Sequence, residues 1–401
     1  MSDAIPLFEI AWDERDVQNA VDSITRGSFW ANGPYIEEFE AGLESYLGVE
    51  HAVTVNSGTT ALVAALEAHG IGEGDEVIVP AFTFIATANA VRLVGARPVF
   101  ADIEAETYGL DPAAVVENVT EETAAIMPIH PYGAPCRIDS LADVASDANV
   151  PLIEDAAEAF GSEHRGRTLG TIGDTATLSF CQNKVLPTGE GGAVVTDDDD
   201  LARRLERFRS HGRASDDYFS SSGSGDYVEL GTNVRMSDLV ASVGCAQLEK
   251  VDELIAGRRR VAKRLAAGLA DVTGVKPHAA AGSDQHVYQL FTVTFAANVD
   301  RDAVIDTLAE RSIASKVYWD PPVHLTHAYR ERYGYERGLL PVTEEVSERV
   351  LSLPIHPELR NDEIDRIVAA VRDGVERGSS TSASARATSQ SLDDHDVPAE
   401  R

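Results

Sequence analysis

Between about residues 50 and 200 the apolar positions fall into short unbroken runs, separated by longer stretches in which they recur at helical spacing. Ala52–Val55, Glu76–Val79, Arg97–Phe100, Ala124–Pro128 and Pro151–Ile153 read as strands buried on both faces. Ser57–Gly70, Thr83–Val94 and Asp139–Ala148 read as the helices between them. This rhythm predicts an α/β fold with a mostly parallel sheet covered on both sides. Two further strands, Thr175–Phe180 and Gly192–Thr196, flank a loop that contains Lys184, and a helix follows over Leu201–Ser210.

The pattern then loosens. Residues 211–232 are polar, with Ser220–Gly225 as a flexible patch. A helix capped by Ser237 is expected to run past Lys250 and to continue through Arg258–Arg264. A strand at Gln289–Phe295, a helix at Arg301–Arg311 and a last helix at Asp362–Arg377 follow, with Gly378 suited to a helix stop. A chain of 401 residues exceeds what one core supports. The expected division is a large domain over 1–250, a smaller α+β carboxyl-terminal domain over 251–377 and a disordered tail over 378–401, rich in Ser, Thr, Ala and Asp.

Charge narrows the function. Acidic residues outnumber basic ones 66 to 34, a net charge of −32, and such a surface repels nucleic acid. Lysine is scarce while arginine is plentiful, a balance that fits a halophilic protein in a salt-rich cytoplasm. The longest uncharged apolar stretch, around Val77–Val91, is too short to span a bilayer and contains Pro80. With Asp3 and Glu9 where a signal segment would lie, a soluble cytoplasmic protein is expected. Cys136, Cys181 and Cys245 fit no disulfide or zinc framework, and His324 with His327 lacks a third metal ligand, so no metal is expected.

Four features carry candidate chemistry. Lys184 is the only lysine before residue 250 and lies in a loop at strand ends, where an amine is able to form a Schiff base. A surviving surface lysine is the alternative. Asp155 ends an apolar strand, at the edge where open α/β sheets bind ligands. An anion there suits a pyridine nitrogen that must stay protonated, and a helix N-cap is the alternative. Asn56-Ser57-Gly58-Thr59-Thr60 leaves a strand and opens a helix, a cup for phosphate or a plain cap. It is no P-loop, and no Gly-x-Gly-x-x-Gly follows a strand. Phe84 offers a flat face for a cofactor, or simply packs in the core.

In this order the features resemble the DegT/StrS-type sugar aminotransferases, pyridoxal-phosphate enzymes of the type I aminotransferase fold. The likeness covers roughly residues 5–377 and includes Asn32-Gly-Pro-Tyr-Ile-Glu-Glu-Phe39, Gly74-Asp-Glu-Val-Ile-Val-Pro80, Glu154-Asp-Ala-Ala157, Gly189-Glu-Gly-Gly-Ala-Val-Val-Thr196, Asn233-Val-Arg-Met236 and Leu353-Pro-Ile-His356. The resemblance implies that Lys184 carries the cofactor and the proton, and that Asp155 pairs with the pyridine nitrogen. Ser57, Gly58, Thr59 and Ser179 would hold the phosphate, and Phe84 would stack on the ring. Glu158 would lie near the phenolic oxygen, where many members carry Gln or His; Glu there resembles the perosamine-type subgroup acting at the sugar C4. Asn233 and Arg235 would reach the partner's phosphate in a homodimer.

Two positions depart from the pattern: Cys181 stands where His is common, and Thr232 where an aromatic often precedes the Asn. Sugar dehydratases of the family replace the lysine with His, so Lys184 argues against dehydration. The expected reaction moves an amino group, from glutamate, onto a nucleotide-linked keto-sugar. Arg213, Lys316, Tyr318 and His324 are candidates for substrate contacts, with surface or packing roles as the alternative. A cyclitol aminotransferase and a non-catalytic cofactor-binding regulator are the competing readings.

Overall fold

The computed structural model describes residues 4–214, 225–282 and 284–393, from 380 on as helical backbone alone. Most of the Ser220–Gly225 patch and residues 394–401 of the expected tail lie outside the described residues. Five strands come first: β1 (His51–Val55), β2 (Glu76–Pro80), β3 (Arg97–Ala101), β4 (Thr123–Ile126) and β5 (Ile153–Asp155). A two-residue hairpin, β6 (Glu163–His164) and β7 (Arg167–Thr168), precedes β8 (Thr175–Ser179) and β9 (Gly192–Thr196).

The ladders run β1-β9-β8-β5 and β3-β2-β4. Parallel bridges Ile126–Leu152 and Ile129–Asp155 join them edge to edge. Every pairing is parallel except those of β9, which runs against both β1 and β8. The carboxyl ends of the other strands, Val55, Pro80, Asp155 and Ser179 among them, therefore share one edge. Gly192, the first residue of β9, pairs with both Val55 and Ser179. The loop from β8 to β9, with Lys184, therefore starts and ends at that same edge. Alternate residues of β2 face opposite cores: Ile78 joins Phe39 and Leu43, whereas Val77 and Val79 join the Gly58–Ala68 helix.

A further apolar cluster gathers an antiparallel sheet of β10 (Val275–Pro277), β11 (Phe291–Phe295) and β12 (Val350–Leu353) with the helices Val251–Leu269 and Arg301–Glu310. Ile5 packs into this cluster and bridges to Ile313, although sequence position alone assigns it to the first domain. No described helix is long and apolar enough to cross a membrane.

Several boundaries differ from the sequence reading. The helix expected through Lys250 is two helices, Asp238–Leu248 and Val251–Leu269. The break falls at Lys250, whose buried ammonium pairs with Asp16 and, at 3.3 Å, with Asp13. The expected Thr83–Val94 helix begins only at Ala86, which leaves Phe84 in a turn. The last helix does not stop at Gly378 but runs Asn361–Asp393. A Cβ at Gly378 would lie 2.9 Å from the Asp300 carbonyl oxygen, so this glycine permits a close approach.

Glu154, beside Asp155, is fully buried. Its carboxylate accepts from the amides of Gly170 (2.9 Å), Ile172 (2.7 Å) and Gly173 (2.7 Å) and bonds His130 Nε2 at 2.9 Å. Burial works to raise this carboxyl, but His130 and the glycine amides outweigh it and hold Glu154 below its ordinary range. A lowered folded value stabilises the fold above the unfolded-state pKa and is lost as pH falls through the folded one. E154Q, which turns an amide donor toward backbone donors, is expected to cost about 3 kcal/mol at pH 7 in urea unfolding. The deficit should shrink on acidification below the ordinary glutamate range.

Candidate active site

The shared strand edge collects the chemistry. Asp155 closes β5 at 7% exposure. Its Oδ2 accepts from the Thr87 hydroxyl at 2.8 Å and its Oδ1 from the Ala157 amide at 3.2 Å. Thr87 is held in turn by Thr83, hydroxyl to hydroxyl at 2.8 Å. Among the described residues no cation is bonded to Asp155. Burial lifts its carboxyl above the ordinary range, against the Thr87 hydroxyl, the Ala157 amide and the charge of Lys184. A buried carboxylate lacking a bonded cation is a ready partner for a protonated ring nitrogen.

Lys184 follows a tight turn in which its amide donates to the Cys181 carbonyl at 2.8 Å. Its ammonium lies 3.3 Å from Glu158 Oε1, with 14% of the side chain exposed. The other Glu158 oxygen accepts the Tyr132 amide at 3.0 Å.

The candidate phosphate cup is built by close approach. Ser57 caps the Gly58–Ala68 helix and its hydroxyl accepts the Thr60 amide at 3.1 Å. That leaves the Gly58 and Thr59 amides without an acceptor among the described residues. A Cβ on Gly58 would stand 2.7 Å from Ser179 Cβ and 2.9 Å from its Oγ, so only glycine lets Ser179 reach the helix start. The Ser57 side chain is spent on the cap, so its contribution is to shape the cup. Phe84 is 64% exposed, which excludes core packing in the described chain. An open aromatic face, a donor-lined helix terminus, a buried carboxylate and an amine fit pyridoxal phosphate.

The sequence matches the DegT/DnrJ/EryC1/StrS aminotransferase family over residues 12–372. The chain belongs to this family. It is therefore a pyridoxal-phosphate-dependent sugar aminotransferase of the type I fold. It is 40% identical to a GDP-perosamine synthase of Caulobacter vibrioides over 84% of this chain and 90% of that one. The S. venezuelae protein DesV superposes with a TM-score of 0.86 at 36% identity, covering 93% of this chain and 99% of that one. The pyridoxal-phosphate form of the putative sugar aminotransferase Spr1654 from Streptococcus pneumoniae superposes with a TM-score of 0.88 at 27% identity, covering 93% and 99%.

The remaining candidates divide. Tyr318 stands with the core of the site: burial and then the Glu158 charge push its phenol up to about 12, while Asn183 hydrogen-bonds it. Lys316 is exposed, its ammonium 5.3 Å from the centre of the Tyr318 ring. Asn233 is exposed, and Arg235 donates to Ser210 Oγ at 3.0 Å. Their segment runs beside the cup, where the Asn56 amide donates to the Val234 carbonyl at 2.7 Å. Arg213 lies over the Tyr227 ring at 5.8 Å, next to the undescribed segment.

His324 does not fit a substrate-contact role. Its ring is fully buried, bonded to Glu344 at 3.2 Å and packed near Phe100. The packing alternative holds instead: the ring is spent on Glu344, which also accepts the Gly338 and Leu340 amides. Sequence reasoning missed Thr87, Tyr132, Asn183 and Gln289, whose Nε2 donates to the Asn183 carbonyl at 2.7 Å. Only Thr87 had a local signal, a hydroxyl one helical turn after Thr83. Trp319, stacked on Tyr132 at 4.7 Å, had none.

Because burial raises Asp155, the ionised carboxylate costs folding energy at neutral pH when no cofactor is bound. D155N is expected to leave the melting temperature of the cofactor-free protein unchanged or higher, while turnover falls at least about 100-fold. F84A should leave cofactor-free stability within about 0.5 kcal/mol, because the ring is exposed, and weaken cofactor binding about ten-fold by equilibrium titration.

Proposed function

We propose that this enzyme transfers an amino group from an amino acid, glutamate, to the C4 keto group of a nucleotide-linked sugar, for polysaccharide or other glycan synthesis. What supports the reading is the convergence of Lys184 and Asp155 at one strand edge, together with relatives that include the GDP-perosamine synthase named above and a dTDP-3-amino-3,4,6-trideoxy-alpha-D-glucose transaminase.

When bound, pyridoxal phosphate supplies an electron sink that lets a proton leave the carbon next to the transferred nitrogen. The chain's own residues do the rest. Asp155 would keep the ring nitrogen protonated. The Gly58 and Thr59 amides and the Ser179 hydroxyl would hold the phosphate, and Phe84 would stack on the ring. The Lys184 amine would hold the cofactor and would serve as the proton carrier.

The substrate is an anion in a protein of net charge −32, so cations must be supplied locally. Arg213 and Lys316 have that role in this reading, and Tyr318 lines the sugar site. A second copy of the chain completes the site through Asn233 and Arg235. In support of a homodimer, Trp12, Val17, Val21 and Ile24 lie exposed on and just before the Glu14–Thr25 helix, an apolar face of the kind that pairs with another protein surface.

Borohydride reduction and peptide mapping of the purified enzyme should fix the pyridoxyl group to Lys184, and K184A should be colourless. Incubation with glutamate and a panel of nucleotide 4-keto-sugars should aminate at least one of them. Amination of a free cyclitol ketone and of no nucleotide sugar would overturn the substrate assignment.

A further inference from the structure

Glu158 is held in place by the Tyr132 amide. Tyr132, which presents its amide to Glu158, sits in the left-handed region at φ 60°, uncommon for a bulky residue. Its ring is fully buried and stacks on Trp319 with the planes 7° apart, which holds the backbone there. With one oxygen fixed on that amide, the other is directed at the Lys184 ammonium 3.3 Å away. Both side chains are largely buried, at 14% and 16% exposure, so solvent screens the pair weakly.

We propose that Glu158 is a positioning residue that parks the Lys184 amine whenever that amine is not bonded to the cofactor. Parked, Nζ donates a hydrogen bond to Oε1, and no covalent bond forms or breaks. The pairing draws the side chain to the Glu158 side of the site and holds the amine there rather than free to attack. The groups that face the pair are Tyr132, Tyr318 and Asp155. Tyr132 and Tyr318 remain protonated, both raised by burial first and by the Glu158 charge second. Asp155 is raised by its own burial and acts on Lys184 only through space. Glu158 is thus the carboxylate bonded to the amine. A neutral Gln in its place would keep a hydrogen-bond acceptor and lose the charge.

The inference rests on Lys184 being the cofactor lysine, but its test uses the cofactor-free protein and needs no sugar substrate. At fixed pH, acylation of Lys184 by acetic anhydride is followed by peptide mass spectrometry, with exposed Lys276 as internal reference. In E158Q the Lys184/Lys276 rate ratio should rise about five-fold over wild type. E158D, which lengthens the gap but keeps the charge, should fall between the two. A merely structural role for Glu158 would lower the melting temperature and leave the ratio unchanged. An unchanged or lower ratio in either folded variant overturns the proposal, whereas failure of the sugar assay alone leaves it standing.

Discussion

A carboxylate buried at the end of a strand, with no cation bonded to it among the described residues, is the constraint around which this site is arranged. Asp155 cannot shed its cost by moving, because its backbone is paired within the sheet on both sides. Its local partners, the Thr87 hydroxyl and the Ala157 amide, stabilise the charge without neutralising it. The folded chain therefore holds a demand for positive charge at a fixed point, one that a protonated pyridine would meet. Preorganisation of this kind is useful because the polar groups need not rearrange when charge develops on the ring.

The neighbouring residue shows the opposite solution. Glu154 points away from the site, as alternation along a strand requires, and its burial is offset by three backbone amides and His130. Two adjacent acids on one strand thus have opposite shifts. One anchors the 170–173 loop to the sheet; the other is left available for chemistry.

The reversal of β9 matters as much as the charges. Had the chain crossed over to another parallel strand after β8, the Lys184 loop would have led away from the ligand edge. Because Gly192 pairs beside both Ser179 and Val55, the intervening loop is short and stays over the cup, with Thr188 and Gln182 tied across it by backbone hydrogen bonds. Gln289, from the segment leading into β11, clasps the same loop at Asn183. The amine's loop is thereby held from two distant parts of the chain.

The sequence by itself determined the α/β alternation and the place of the four chemical groups along it. It did so because a strand end is a local property: an apolar run stops, and the next side chain stands at the sheet edge. Asp155 and Ser179 close strands, Ser57 and Phe84 lie in the short turns that follow strands, and Lys184 lies in the loop that leaves Ser179. Tertiary structure alone decided which of them touch. The direction of β9, the hydroxyl of Thr87 on Asp155, the strained Tyr132 amide on Glu158 and the approach of Tyr318 all join residues far apart in the chain. Tertiary structure likewise turned His324 inward to Glu344, split the helix at Lys250 and carried the last helix past Gly378. The physical reason is that residue type and spacing report local conformation, whereas burial and partnership are fixed by which surfaces pack together.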